Sequence, residues 1–208
     1  MLEGIKVLSF THYLQGPSAA QALADLGADV VKIEACKGAY ERGWSGCNTY
    51  KNGVSVFYLM ANRNQRDLAI DLKSEEGRET IYTLIRDKGY DVIIENFRPG
   101  VMDKLGLGYE KLKEINPRVV YCSCTGYGSA GPKAKKPGQD LLLQGMSGLA
   151  ALTGPSDHPP MPAGTALVDQ HGAILAALGI VSAVYDRDRT GIGHKVDASL
   201  LGSALDLQ

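Results

Sequence analysis

Two places in the sequence bring together residue types that could do chemistry. The run Asp91-Val92-Ile93-Ile94-Glu95 reads as a strand that opens onto Asn96-Phe97-Arg98-Pro99-Gly100. There an amide, an aromatic face and a guanidinium fork stand in consecutive positions, a set that suits an adenine nucleotide and its phosphates. A solvated arginine beside a buried phenylalanine accounts for the same spacing equally well. The second place is Asp169, which follows Leu167-Val168 and precedes a helix expected from about His171. Its carboxylate then lies at a helix amino terminus, where the dipole and free amides favour the ionised form. A plain capping aspartate fits that position too.

Other chemistries lack their residues. A dinucleotide fold would carry G-x-G-x-x-G after its first strand, but Thr11-His12-Tyr13-Leu14-Gln15-Gly16-Pro17 holds a single glycine, and no P-loop is present. His12, His158, His171 and His194 are scattered, with no serine or cysteine in a nucleophile elbow near them. Cys36 and Cys47 lack zinc spacing, and Cys122-x-Cys124 is expected to direct its thiols to opposite faces of a strand, so all four cysteines read as small buried side chains and no metal site is expected. Lys plus Arg number 22 against 23 for Asp plus Glu, which leaves no global field for nucleic acid or an anionic membrane. The first residues do not resemble a signal peptide, and the most apolar stretch, Ala173 to Val184, is shorter than the ~18 residues of a membrane span. The expected location is the cytoplasm.

The elements that must position these residues alternate. Ile5 to Phe10 reads as a strand, Gly16-Pro17-Ser18 as an interruption, Ala19 to Leu26 as a helix and Asp29 to Ile33 as a strand. Ala69 to Leu72, a helix from Ser74 to Gly89, Asp91 to Glu95 and Val119 to Ser123 repeat the pattern. Such alternation predicts an α/β fold: a Rossmann-like open, mostly parallel sheet with helices on both faces, whose ligands bind beyond the carboxyl ends of the strands. Residues 36–64 read as a long functional loop, Leu141 to Leu152 as one apolar helix, His171 to about Tyr185 as a helix of small residues, and Lys195 to Leu205 as a last apolar element with no capping glycine after it. The sequence is therefore expected to be a piece of a longer protein.

Many separate runs, in order, resemble one family. They are Leu2 to Leu8, Gly16-Pro17, Leu23 to Glu34, Asn62-Arg63-Asn64, Asp71-Leu72-Lys73, Glu95 to Gly100, Leu105-Gly106-Leu107, Asn116-Pro117-Arg118, Gly126-Tyr127-Gly128, Pro137 to Asp140, Ser147-Gly148-Leu149, Thr153-Gly154, Asp169 and Val196 to Leu201. Together they resemble the class III coenzyme A transferases, the family of formyl-CoA and carnitine-CoA transferases, over residues 1–208. The resemblance implies the amino-terminal part of the large domain, without the small domain and the carboxyl-terminal return. It implies Asp169 as the nucleophile that passes coenzyme A between an acyl-CoA thioester and a carboxylic acid. It also implies coenzyme A held along Leu14, Gln15, Ile70, Asp71, Leu72, Lys73, Asn96, Phe97, Arg98, Lys104, Gly138, Gln139 and Asp140, with a coenzyme A thioester as substrate, no permanent cofactor, and an interlocked homodimer.

Two departures bear on function. Ala35-Cys36 follow Glu34 where family members often carry an arginine, so a phosphate or adenine contact is expected to be lost or moved to Lys37. Gln139 stands where transferases often have tyrosine and the related racemases a proton-exchanging histidine; an amide cannot exchange that proton. Transferase is thus the leading expectation, with an acyl-CoA hydrolase or racemase on the same scaffold, or a non-catalytic, partner-dependent half-protein, as alternatives.

Overall fold

The computed structural model describes residues Met1–Gln208. Strand β1 (Lys6–Phe10) leads to helix α1 (Gln15–Asp25) and strand β2 (Asp29–Glu34). A short antiparallel pair, β3 (Tyr50–Lys51) and β4 (Val54–Ser55), and helix α2 (Val56–Ala61) follow. Then come β5 (Arg66–Ala69), α3 (Glu75–Asp87), β6 (Val92–Glu95), α4 (Val101–Lys104), α5 (Tyr109–Ile115) and β7 (Val120–Thr125). The chain closes with α6 (Asp140–Ser147), α7 (Leu167–Thr190), β8 (Lys195–Ser199) and α8 (Leu200–Asp206).

Six strands form one parallel sheet in the order β5-β2-β1-β6-β7-β8. The chain winds outward from β1 through β2 to β5, then returns to the other side of β1 with β6. The two directions part between β1 and β6, and a parallel sheet opens its ligand crevice beyond the carboxyl ends at such a switch point. Because helices cover both faces, the central strands are apolar on both sides rather than alternating. Val7, Val92 and Ile94 face α1 and α7, while Leu8, Phe10 and Ile93 face α3 and α5. Side chains of this size, fully buried, contribute about 1.5–3 kcal/mol each.

Local chemistry accounts for some element ends. Ser74 caps α3 by accepting the Gly77 N–H at 2.9 Å, and α7 stops at Gly191 with φ 79°. Several boundaries differ from expectation. Gly16-Pro17-Ser18 does not interrupt anything; it forms the first turn of α1, where proline lacks only an amide that has no helical partner. The strand expected at 69–72 lies earlier, as β5. Residues 36–64 carry a hairpin and a helix rather than a loop alone. The helix expected over 141–152 breaks at Gly148, whose φ of 93° is left-handed, and resumes as a short 3-10 turn. The element expected over 195–205 divides into β8 and α8.

Helix α7 is 24 residues long and contains an 18-residue stretch with a mean hydropathy of 1.6, so by length and composition it could cross a bilayer, contrary to the shorter run read from the sequence. Its Ala173, Ala176, Ile180 and Val184 are packed in the sheet's core. Cys122 and Cys124 also correct an expectation. Residues two apart on a strand share a face, and both thiols are buried 3.9 Å from each other in the α1/α7 layer. Cys36 and Cys47 are exposed rather than buried.

Candidate active site

At the switch point the carboxyl ends of β1, β6 and β7 open into a cavity of about 540 Å3. The turn after β1 and the start of α1 supply Tyr13, Leu14 and Gln15; the turn after β6 supplies Asn96, Phe97 and Arg98; the loop before α6 supplies Lys136, Gly138 and Gln139; α6 begins with Asp140; and α7 supplies Asp169. Nine of the expected site residues thus meet in one place, though they are spread over most of the sequence. Ile70, Asp71, Leu72, Lys73 and Lys104 do not line it. Ile70 and Leu72 pack against the α3/α5 layer beside Phe97, Asp71 closes a turn by accepting the Lys73 N–H at 2.9 Å, and Lys73 and Lys104 are exposed.

Asp169 is the third residue of α7, inside its first turn, rather than a cap preceding it. Its side chain makes no capping bond. Its own N–H is instead satisfied by Asp140, whose Oδ2 accepts it at 2.9 Å, while Oδ1 of Asp140 accepts from the Gln144 amide. Gln144 then accepts the Ala163 N–H at 2.8 Å, which fixes the approach to α7. Asp140 is therefore buried as a brace between two helices at the edge of the cavity it lines.

Burial, followed by the charge of Asp140, pushes the Asp169 carboxyl from its ordinary 3.8 up to about 7. This reverses the expectation that the helix terminus keeps it readily ionised. Magnitudes explain why: a helix terminus favours an anion by about 0.3–1 kcal/mol, up to ~2, whereas a rise of this size corresponds to about 4 kcal/mol. Even a generous allowance for the dipole leaves the direction upward. The ionised form remains accessible at neutral pH, as a nucleophile requires.

One donor in the cavity lacks a partner. Gln15 is buried, and its Nε2 makes no hydrogen bond. It lies against Gly172, one turn beyond Asp169, where even a Cβ would come within 2.6 Å of it. A buried amide N–H without an acceptor costs about 1–3 kcal/mol, and such a group is expected where a ligand supplies the acceptor. Across the cavity the backbones of Gly126 and Gly138 touch, so that a Cβ on either would come within 2.7 Å of the other.

Asn96 also braces the site it lines: its Oδ1 accepts the His12 N–H and its Nδ2 donates to the His12 carbonyl, both at 2.7 Å, which holds the turn after β1. Phe97 stands edge-on to His12 with ring centroids 5.3 Å apart. Arg98 is exposed and forms no ion pair, as a phosphate or carboxylate binder should. Sequence reasoning missed Lys136, Trp44 and Phe57, which also line the cavity. Lys136 ends a visible basic run before Pro137-Gly138. Trp44 and Phe57, whose rings meet edge-on at 5.1 Å, lay hidden in residues 36–64. A smaller cleft of about 220 Å3 shares Arg98 and Thr125 with the main one and contains Glu95, whose carboxyl burial pushes up to about 7.

The family model described as CoA-transferase family III matches residues 2–208. The chain belongs to that family. Similar proteins include an acyl-CoA transferase of Fusarium pseudograminearum, 41% identical over 99% of this chain and 46% of that protein. A formyl-CoA:oxalate CoA-transferase of Streptomyces coelicolor is 40% identical over 99% of this chain and 49% of its own length. The mouse succinyl-CoA:glutarate CoA-transferase is 38% identical over 97% and 46%. Among solved structures, a CAIB/BAIF family protein from Brucella suis superposes with a TM-score of 0.93 at 39% identity, covering 99% of this chain and 55% of that one. The family III chain thus spans about half the length of the curated relatives it matches. Family membership supports transfer chemistry on coenzyme A thioesters in general, and the fold agrees with the expected Rossmann-like class.

Proposed function

We propose that the protein transfers coenzyme A from an acyl-CoA to a carboxylic acid, with Asp169 as the covalent carrier. The Asp169 carboxylate attacks the thioester carbonyl, the carbon–sulfur bond breaks, and the coenzyme A thiolate leaves behind an aspartyl–acyl anhydride. The thiolate then attacks the aspartyl carbonyl, releasing the donor acid and leaving an aspartyl-CoA thioester. The acceptor carboxylate repeats both steps in reverse, forming a second anhydride whose acceptor carbonyl takes the thiolate and frees Asp169. Each bond made replaces one of similar energy, so no oxidant, metal or net proton is required.

The observation that carries this reading is the placement of one accessible carboxylate, Asp169, beside a buried unpartnered donor, Gln15 Nε2. Each tetrahedral intermediate places negative charge on oxygen, and a pre-placed donor in a water-poor site stabilises it. Arg98 and Lys136 at the rim supply positive charge for the phosphates of coenzyme A, and Phe97 supplies a stacking face. Incubation with an isotopically labelled acyl-CoA and a panel of small mono- and dicarboxylic acids tests this reading. Formation of the acceptor's CoA thioester, with free CoA appearing more slowly, is the expected result. Release of free CoA at a rate independent of any acceptor would show a hydrolase instead.

A further inference from the structure

The turn after β1 contains an unusual backbone. Tyr13 has φ 61°, in the left-handed region that bulky side chains rarely adopt. Such a conformation persists only where the surroundings over-determine it, and functional sites are where it collects. Here the holders are all visible. The buried Lys32 Nζ donates to the Thr11 carbonyl at 2.8 Å, and Asn96 grips both backbone groups of His12. Glu41 Oε1 accepts the Tyr13 N–H at 2.7 Å, and the same carboxylate meets His12 Nδ1 at 3.3 Å.

Lys32 and Asn96 belong to strands next to β1 or to their ends, so the sheet places them. Glu41 has a different origin: it lies in the 3-10 turn Tyr40–Arg42 of the crossing segment that also brings Trp44 and Phe57 to the cavity. It is 2% exposed, although a carboxylate in a connecting segment would ordinarily face water. Burial alone would raise its carboxyl, yet His12 and the Tyr13 amide hold it below the usual range, so it is a charged acceptor. Its neighbour Arg42 is anchored to Glu34 at 2.7 Å and to Asp67 at 2.7 Å, which makes the turn a firm support. Nothing in the transfer chemistry requires this buried carboxylate.

We infer that Glu41 is a positioning residue: by holding Tyr13 in its left-handed conformation it directs Gln15, two residues on, against the helix that carries Asp169. Glu41 touches no reacting atom and acts only through the turn. The kinetic part of this inference rests on the proposed transfer reaction; the conformational part does not. Losing a charge-assisted bond of this type corresponds to about one to two factors of ten.

The test compares the wild-type chain, Glu41→Gln, Tyr13→Gly and the double variant, by amide hydrogen exchange and by transfer kinetics. Glycine adopts a left-handed φ without strain, so it removes the need for the clamp while leaving Glu41 in place. In Glu41→Gln, exchange at residues 12–15 rises about tenfold and kcat falls about tenfold, while CoA affinity stays within about twofold. In the Tyr13→Gly background the same substitution changes exchange and kcat by less than about twofold. Equal losses in both backgrounds, or unchanged exchange at residues 12–15 in Glu41→Gln, would overturn the inference. A wild-type chain that transfers nothing would count against the proposed function, and the exchange measurement would still decide the role of Glu41.

Discussion

An aspartate whose carboxyl is pushed up to about 7 is mostly protonated, and therefore a poor nucleophile, in mildly acidic solution. On the proposed mechanism the transfer rate should fall about tenfold per pH unit below about 6 and level off above about 8. Asp140→Asn should move the midpoint downward, because it removes the nearby negative charge while leaving an oxygen to accept the Asp169 N–H. A profile already flat from pH 5 upward would contradict the assignment. Little of this was legible in the sequence. Position alone allowed Asp169 to be a plain cap, and only the family resemblance distinguished it. Its partner Asp140 lies 29 residues away, and Asn96 is bonded to a turn 84 residues away. Local spacing contains no trace of such long-range bonds, so neither bracing task could be read from it.

At the scale of elements, the site depends on loops that approach more closely than side chains permit. Gly126 follows β7 and Gly138 precedes α6, and their backbones are in contact. Gly126→Ala should force these segments apart at a cost of about 1–3 kcal/mol in stability. It should also weaken transfer more than tenfold, because Asp140 and hence the start of α7 shift with the loop. Unchanged kinetics in a folded Gly126→Ala protein would remove this link between loop packing and the site. The main strands and α3 were legible because apolar runs, a serine cap and stop glycines are local signals. The contents of residues 36–64 were not, since β3 and β4 have only two residues each and α2 has six. Segments that short depend on tertiary contacts such as Tyr58 Oη donating to Glu34 at 2.8 Å.

For the whole molecule, the strand order was expected only as a class, yet the order places the turns after β1 and β6 on either side of one crevice. Burying carboxylates there has a consequence for stability. Asp169 and Glu95 both titrate near 7 in the fold, above their unfolded values, so they favour the folded state most at low pH and lose that contribution as pH rises toward 7. Glu34 and Glu41 are held below theirs, so their contribution is lost as pH falls below about 4. Urea unfolding should therefore show greatest stability near pH 5, and Asp169→Asn should flatten part of the decline above it; stability climbing steadily to pH 8 would contradict these burial effects. The central claim is that Asp169 carries coenzyme A as an aspartyl thioester, and direct capture tests it most closely. After incubation with an acyl-CoA and quenching with hydroxylamine, peptide mass spectrometry should locate a single hydroxamate at Asp169, absent in Asp169→Asn. A hydroxamate on another carboxylate, or product formation at the wild-type rate by Asp169→Asn, would contradict the account.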